Sequence, residues 1–572
     1  MDRHGSGLPY QSVHTSPVAM DAVALFVRFP LSVSVRIISF VDDVADLARL
    51  VRTSRFFYYL VTPLLYERVT LRSYDQIRYI NGKPEGYGSG SPFSVGLNGL
   101  VTGDKGQYVK SLRLCGEWRE HDLEDFTRGR VPDSSMMLNT VVRVAIGNMP
   151  RLRSFSWELN TKPMRAVYQG LASCSGLTSL IIKFPSTRVP RPVTVVPPMP
   201  NLKTFKAIEL DPLCYPDDIS VLLLNSKKLL DLTVHFSPRM REQGEPSINV
   251  HAIFGKCVLA GYALPVQRVA VANMYAKHQA ELEHVINMET LREVVTINCG
   301  QSATDPSTVF LDEDWLSHKP HHLAKNLKVL RIDQPTAQLA RLMNEFSGLE
   351  CLYVVNERYV PQSKSGSSAG TTPGGSNSDS QVATSKARAG TPLSPTSSSM
   401  QEQLVSVASD VIAAITKSHG ESIRHLLLSD QWTLDHNVIM RIVHACPHLE
   451  QLGVSIYANK ELEALRYALM GLPKLVALRI LFPRDENLES HLASVGDQTH
   501  AFVLSAEVVR DHCPRLKWVG LGSRVFKVGP LVPNSEKKRA QNGEPRPMRI
   551  ITPASADDVK DVEIWSMDRF DV

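Results

Sequence analysis

The 572-residue sequence predicts an α/β fold in which a short N-terminal unit of three helices precedes a horseshoe solenoid of strand-and-helix repeats, interrupted by one disordered insertion. Three observations predict it. Residues 26–71 carry apolar side chains at helical spacing, one short apolar phrase recurs thirteen times through residues 100–356 and 401–530, and residues 361–400 are a Ser/Gly/Thr/Pro tract with almost no bulky apolar residue.

The phrase is an apolar residue, two variable positions, a second apolar residue, one variable position and a third. It occurs at Val109/Leu112/Leu114, Leu152/Phe155/Trp157, Leu177/Leu180/Ile182, Leu202/Phe205/Ala207, Leu229/Leu232/Val234, Val266/Val269/Val271 and Leu291/Val294/Thr296. The others are Leu327/Leu330/Ile332, Leu349/Leu352/Val354, Ile423/Leu426/Leu428, Leu449/Leu452/Val454, Leu475/Leu478/Ile480 and Leu516/Val519/Leu521. Many intervals are roughly 25 residues, and most others stretch to about 36 to 43, room for an insertion. The second and third residues lie two apart and so point to one side of a strand, while the first anchors the preceding turn. Residues 163–174, 217–227, 338–346, 437–446, 460–472 and 501–513 have helical character. Strands alternating with return helices stack into a solenoid with one continuous core. Cys174, Cys446 and Cys513 end the helix before a phrase and read as small packing residues without a catalytic role.

At the other end of the chain, residues 1–20 read as a disordered leader. Val33, Ile37, Ile38 and Val41 form a helical set behind Pro30; Leu47, Leu50, Val51 and Ser54 form a second; Phe56–Leu60 supplies a third. The unit closes at Pro63–Leu71 in a strand-like segment. Three helices in about 45 residues bury so little that the unit is expected to rest on something else.

The composition bounds the chemistry. Hydrophobic residues at 43%, charged residues at 21% and a mean hydropathy of −0.11 are those of a soluble folded protein. Net charge is +5 with the Lys and Arg scattered, which implies no nucleic-acid partner, and no run approaches the roughly 20 apolar residues of a membrane span. Eight cysteines without a CxxC pair read as reduced thiols of an intracellular protein, in cytoplasm or nucleus. No catalytic motif is present, so the expectation is a non-enzyme without cofactor or metal. The Gly-rich stretch at 86–92 lacks a Lys and a following helix. Asp312–Asp314 and Asp557–Asp558 read as helix starts, and His318, His321 and His322 as a solvated loop. Thr372, Thr391 and Ser394, each before a proline inside the insertion, have the minimal form of phosphorylation sites. Residues 533–553, with Lys537–Arg539, read as a loop or tail, and 554–572, with Val562–Trp565, as a last strand or cap shielding the end of the solenoid.

Residues Pro30 to about Val69 resemble the F-box motif, and the body resembles the irregular leucine-rich repeats of F-box receptors from mushroom-forming fungi. Phe29-Pro30 stands where that family usually has Leu-Pro, Ile37–Val41 is similar to the end of its first helix, Asp46-Leu47 with Leu50 and Arg55 to its second, and Pro63–Tyr66 to its exit. Ser32 stands where Glu is common, and Val33-Ser34 replaces a Leu-Leu pair. The resemblance implies docking on the Skp adaptor of a cullin-RING ubiquitin ligase through Pro30, Leu31, Val33, Ile37, Ile38, Val41, Leu47, Leu50 and Val51. The repeats would then hold a protein substrate for ubiquitin transfer by other subunits. In a horseshoe the variable positions flanking the second apolar residue face the concave side, which makes Ser156, Arg331, Tyr353, His425, Gln451 and Trp518 candidate substrate contacts, the exposed aromatics foremost. The alternative is a leucine-rich-repeat interaction scaffold with no ubiquitin-ligase role, its three helices capping the first repeats.

Overall fold

The computed structural model describes residues 30–74, 76–86, 90–118, 134–185, 195–211, 218–237, 248–249, 251–273, 276–277, 285–297, 325–333, 335, 337–355, 396–457, 465, 468–483, 513–522, 524–532 and 548–567. The chain falls into two compact units, Met1–Leu180 and Ile181–Val572.

The first unit opens with helices α1 (Leu31–Ile38), α2 (Val44–Val51) and α3 (Arg55–Leu65). Pro30 leads into α1, the Asp43 carboxylate accepts the Ala45 N–H at the start of α2, and the Ser54 hydroxyl accepts the Phe57 N–H at the start of α3. These oxygens satisfy amides that have no partner within the helix. Ile38, Leu47, Phe57 and Val61 form the small core, with Val41, Leu50, Val51 and Leu60 packed at its margin. Strand β1 (Arg68–Ser73) follows, then a hairpin of β2 (Tyr79–Ile80) and β3 (Lys83–Pro84), helix α4 (Pro92–Thr102), β4 (Ser111–Gly116), α5 (Ser134–Gly147), β5 (Ser154–Leu159) and α6 (Arg165–Ala172). β1 pairs in parallel with β4, and β4 with β5, so that Val69, Leu112 and Phe155 stand side by side, as do Leu71, Leu114 and Trp157. The strand-like segment after α3 is thus a full member of the ladder. Strand β6 (Ser179–Lys183) lies where the two units meet in sequence.

The second unit runs β7 (Thr204–Leu210), α7 (Ser220–Asn225), β8 (Asp231–Phe236), β9 (Ile248–Asn249), α8 (His251–Leu259), β10 (Arg268–Ala272), β11 (Ala276–Lys277), β12 (Glu293–Ile297) and β13 (Val329–Ile332). It continues with α9 (Ala337–Glu345), β14 (Cys351–Val354), α10 (Thr396–Ala414) with a π-helical turn at Ile415–His419, β15 (His425–Leu427), α11 (His436–Ala445), β16 (Gln451–Ser455), β17 (Ala477–Leu481) and β18 (Trp518–Leu521). β19 (Arg524–Val532), β20 (Met548–Ala554) and the short helix α12 (Glu563–Ser566) close it. β9 and β11 pair with each other; the rest form one sheet in the order β7-β8-β10-β12-β13-β14-β15-β16-β17-β18-β19-β20. From β7 to β18 every recorded pairing is parallel, and β19 and β20 reverse direction.

The second residue of each of the thirteen phrases lies on a strand. Leu330, Leu352, Leu426, Leu452, Leu478 and Val519 stand in one cross-strand row, each at most 4% exposed, with the return helices over them. The leading residues turn the chain: Leu177, Leu449 and Leu516 donate their N–H to the carbonyls of Cys174, Cys446 and Cys513 at 3.1, 3.3 and 3.1 Å. This long parallel sheet is consistent with a leucine-rich-repeat-like solenoid.

Four boundaries differ from the sequence reading. Residues 548–554, inside the expected tail, are a strand, because the sheet edge left by β18 offers unpaired backbone groups that β19 and β20 complete. Helix α10 starts at Thr396, within the expected insertion, of which 361–395 lie outside the described residues, as do 1–20 and Lys537–Arg539. The Gly-rich stretch is followed by a helix after all: α4, capped by the Ser91 hydroxyl on the Ser94 N–H. Among the described residues of the expected C-terminal cap, α12 lies against a face of the sheet.

His419 is an internal joint that the sequence did not mark. Its ring is 1% exposed, accepts the Leu349 N–H at Nδ1 (3.3 Å), donates from Nε2 to the Met343 carbonyl (2.8 Å) and packs on Phe346. Only the neutral ring makes both bonds, and burial holds its pKa below the ordinary 6.5. The unfolded chain therefore takes up the proton first, so this contribution is complete above 6.5 and is lost as the pH falls toward the depressed folded value. The expected result is a Tm that declines as the pH falls below 6.5, with a shallower decline in His419→Gln, checked by thermal melts at a series of pH values.

Candidate functional site

The strands have two faces. One carries the rows of phrase residues under the helices; the other, in the second unit, carries two further rows set by the same register. The first is Asp231, Arg268, Glu293, Val329, Cys351, His425, Gln451, Ala477 and Trp518. The second is Thr233, Ala270, Val295, Arg331, Tyr353, Leu427, Gly453, Arg479 and Gly520. Arg331, Tyr353, His425, Gln451 and Trp518 thus share one face, as the sequence positions imply, and Ser156 holds the equivalent position on β5 of the first unit.

Most of them are closed to solvent, while His425 and Trp518 are half-buried. Arg331, Tyr353 and Gln451 are 6, 3 and 8% exposed, and Ser156 is 5%. Ser156 donates to Glu158 on its own strand, where Arg113 also binds that carboxylate through two nitrogens at 2.9 and 2.6 Å. In the second unit the cover is the chain's own C-terminal segment. Val559, Ile564 and Trp565 pack with Tyr353, Leu427, Ala477 and Leu481 into a second core. Around it the polar side chains grip backbone: the Gln451 amide donates to the Glu563 carboxylate and accepts the Ile564 N–H at 3.1 Å, Arg479 donates to the Ile564 carbonyl at 2.7 Å, and Arg331 to the Met567 carbonyl at 3.1 Å. The Trp565 indole lies over Gly520, where a Cβ would stand 2.6 Å from its ring, with the Arg479 guanidinium 5.9 Å from the ring centre.

Burial shapes the titrating groups here. It pushes the Tyr353 phenol and the Cys351 thiol up and holds His425 below the usual imidazole range. The Tyr353 hydroxyl lies 2.8 Å from His425 Nδ1, and the two share a hydrogen bond whose direction the ring tautomer sets. Further along, Arg268 bridges Asp231 and Glu293 at 3.0 Å each and reaches the Thr233 hydroxyl. These contacts fix side chains in place. Beside the strand starts lies a polar hollow of about 450 Å³ lined by Glu350, Glu421, Arg424, His448, Glu450 and Lys474, whose opposite charges sit next to one another.

The three-helix unit carries the other candidate surface, and the structure divides its predicted residues. Ile38 and Leu47, at 2 and 7% exposed, are core; Val41, Leu50 and Val51 are half-buried; Pro30, Leu31, Val33 and Ile37 face out, with Leu31 at 61%. The assignment of Ile38 and Leu47 to a docking face is corrected by this placement. Spacing of four residues is met both by Val33 and Ile37 and by Ser34 and Ile38, and the fold turns the second pair inward, with Ser34 fully buried. Val35, Phe40, Val44 and Tyr59, which the sequence reading left out, extend the exposed apolar surface.

Among the described residues no group of three His, Cys, Asp or Glu is placed to hold a metal ion, and no helix is long and apolar enough to cross a membrane. Asp312–Asp314 and His318, His321 and His322 lie outside the described residues, as do Thr372, Thr391 and Ser394. Asp558 caps a turn, accepting both the N–H and the hydroxyl of Ser555 at 2.8 Å, and these bonds hold its carboxyl below the ordinary range. Arg479, Gly520 and Trp565 were missed by sequence reasoning. The first two occupy the same phrase position as Arg331 and Tyr353, so that position rule reaches them; nothing local marks Trp565 as their partner.

No protein-family model matches the chain, and no curated protein sequence matches it. Solved structures do: one of 33 matching chains, from the crystal structure of a TLR13-ssRNA13 complex, is 12% identical with a TM-score of 0.22, over 66% of this chain and 57% of that one. The chain therefore spans little more than half the length of that protein. The repeat architecture rests on the chain's own ladder of parallel strands.

Cys446 and Cys513 are fully buried, and burial pushes their thiols up to about 12 and about 11. Neither ionises near neutrality, so both are expected to resist iodoacetamide in the native protein at about pH 8 and to react once it is denatured, as read by peptide mass spectrometry.

Proposed function

We propose that the chain is the substrate-recognition subunit of a Skp-cullin-F-box type ubiquitin ligase, docking the Skp adaptor by its three-helix unit and holding a target protein on its repeats. The observation that carries this reading is the apolar surface of that unit. Four core side chains hold it together, while Leu31, Val33, Val35, Ile37, Phe40, Val44 and Tyr59 face outward. So many outward apolar side chains on so small a unit suit a protein interface. Its helical form suits a partner that receives a helix face in a groove. The resemblance of Pro30–Val69 to the F-box motif supplies the identity of that partner. The repeats supply a broad array of side chains in fixed register, which serves binding and asks for no cofactor. On this reading the partners are the adaptor with its cullin-RING ligase and a protein substrate, with neither nucleic acid nor membrane.

A pull-down with purified Skp adaptor tests it. Wild type is expected to retain the adaptor, and a Leu31→Asp, Ile37→Asp double variant, changed only at exposed positions, to lose about tenfold or more of that retention while melting like wild type. A wild-type chain that retains no adaptor leaves the interaction scaffold without a ligase role as the reading that stands.

A further inference from the structure

We infer that the face of the second unit opposite its helices is a recognition site for a protein segment presenting an acidic residue, an aliphatic residue and a tryptophan in one helical turn, and that the chain's own Glu563-Ile564-Trp565 fills it in cis. This deepens the target-binding half of the proposed receptor and is independent of the adaptor half.

The contacts are those of peptide recognition. A plug that served only to bury apolar surface would need only apolar neighbours. Here side chains from three strands read the backbone of the turn: Gln451 on β16 takes the Ile564 N–H, Arg479 on β17 the Ile564 carbonyl, and Arg331 on β13 the Met567 carbonyl. Backbone capture gives affinity, and pockets for particular side chains give specificity. Ile564 and Trp565 are buried in the face, and the exposed Glu563 is held at its rim. The Gln451 amide donates to the Glu563 carboxylate, and Ile564 is fully buried among the apolar residues of the face. Trp565 fills a notch made by the missing side chain of Gly520 beside the Arg479 guanidinium. A glycine inside a strand weakens it and marks a close approach; here what approaches is the indole.

The occupant depends on the face for its shape. α12 has four residues, too few to be helical alone, so it takes its shape from the face. Of residues 555–561 leading to it, only Val559 is buried. A tethered occupant of this kind acts at an effective concentration in the millimolar range for a short linker, and a partner segment of the same chemistry competes with it.

The probe is a fluorescent peptide with the sequence of residues 555–572, titrated by anisotropy into the full-length chain. Wild type is expected to bind it weakly and Trp565→Ala, whose own turn has lost its anchor, about tenfold or more tightly. Adding Gly520→Leu to Trp565→Ala fills the notch and is expected to abolish that gain, as is replacing the tryptophan of the peptide by alanine. Ile564→Ser empties the site a second way and is expected to behave as Trp565→Ala does. The inference is overturned if neither emptied variant binds the probe more tightly than wild type, or if filling the notch leaves binding unchanged. It is equally overturned if both emptied variants lose cooperative thermal unfolding, since the turn is then an integral strap. Adaptor retention, measured on the same variants, is expected to stay at the wild-type level, which separates this outcome from that of the docking test.

Discussion

One-sided burial of very short parallel strands is the constraint on which the rest depends. β15 is three residues long, and its Leu426 is fully buried because Leu352 and Leu452 flank it in the ladder and the helices cover all three. No such strand is stable alone, since the backbone entropy of ordering it exceeds what one or two buried side chains contribute. Stability is therefore shared between neighbours, and register with it. A slip of one residue would turn Leu426 outward and His425 inward. The leading residues guard against that slip: Ile423, Leu449 and Leu475 are fully buried at the turn into their strands and hold each strand at the same height. The face opposite the helices inherits its order from this. Arg331, Tyr353 and Arg479 lie in one row because the leucines beside them do.

That dependence explains what was legible in the sequence. The spacing of two between the second and third phrase residues is a local property of a strand, and it located thirteen strands without reference to anything distant. The inward stripe of α1 was not legible, because Val33 with Ile37 and Ser34 with Ile38 satisfy the same helical spacing, and a buried serine looks like a surface residue. Strands β19 and β20 escaped for a different reason: their partner is the open edge of β18, a feature of the assembled sheet. The candidate face was half legible. Its rows followed from the phrase, but its occupant did not, since Glu563 and Gln451 are more than a hundred residues apart and meet only in three dimensions. The sequence reading took Tyr353 as exposed for that reason, where the structure buries it.

The second unit thus has two cores of different character. Beneath the helices, the packing is aliphatic and closed to water, with Cys446 and Cys513 serving as small apolar fillers. On the opposite face, guanidinium, amide and phenol groups stand among apolar residues, and each buried polar group there requires a partner. Such a surface is more selective than an aliphatic one, because an ill-matched occupant leaves those groups unpaired. The C-terminal segment covers that surface and partners several of its polar groups.

The reversal of direction after β18 also bears on how the protein behaves among other chains. A ladder of parallel strands ending in an open edge is a template on which another chain can deposit a strand. β19 turns back antiparallel along that edge, its pairing with β20 shifts register between Val528 and Leu531, and β20 carries Pro553. A bulge twists an edge, and proline removes a donor from it. The repeat ends its own template, and the chain gains protection from fibrous self-association through two strands outside the repeat pattern.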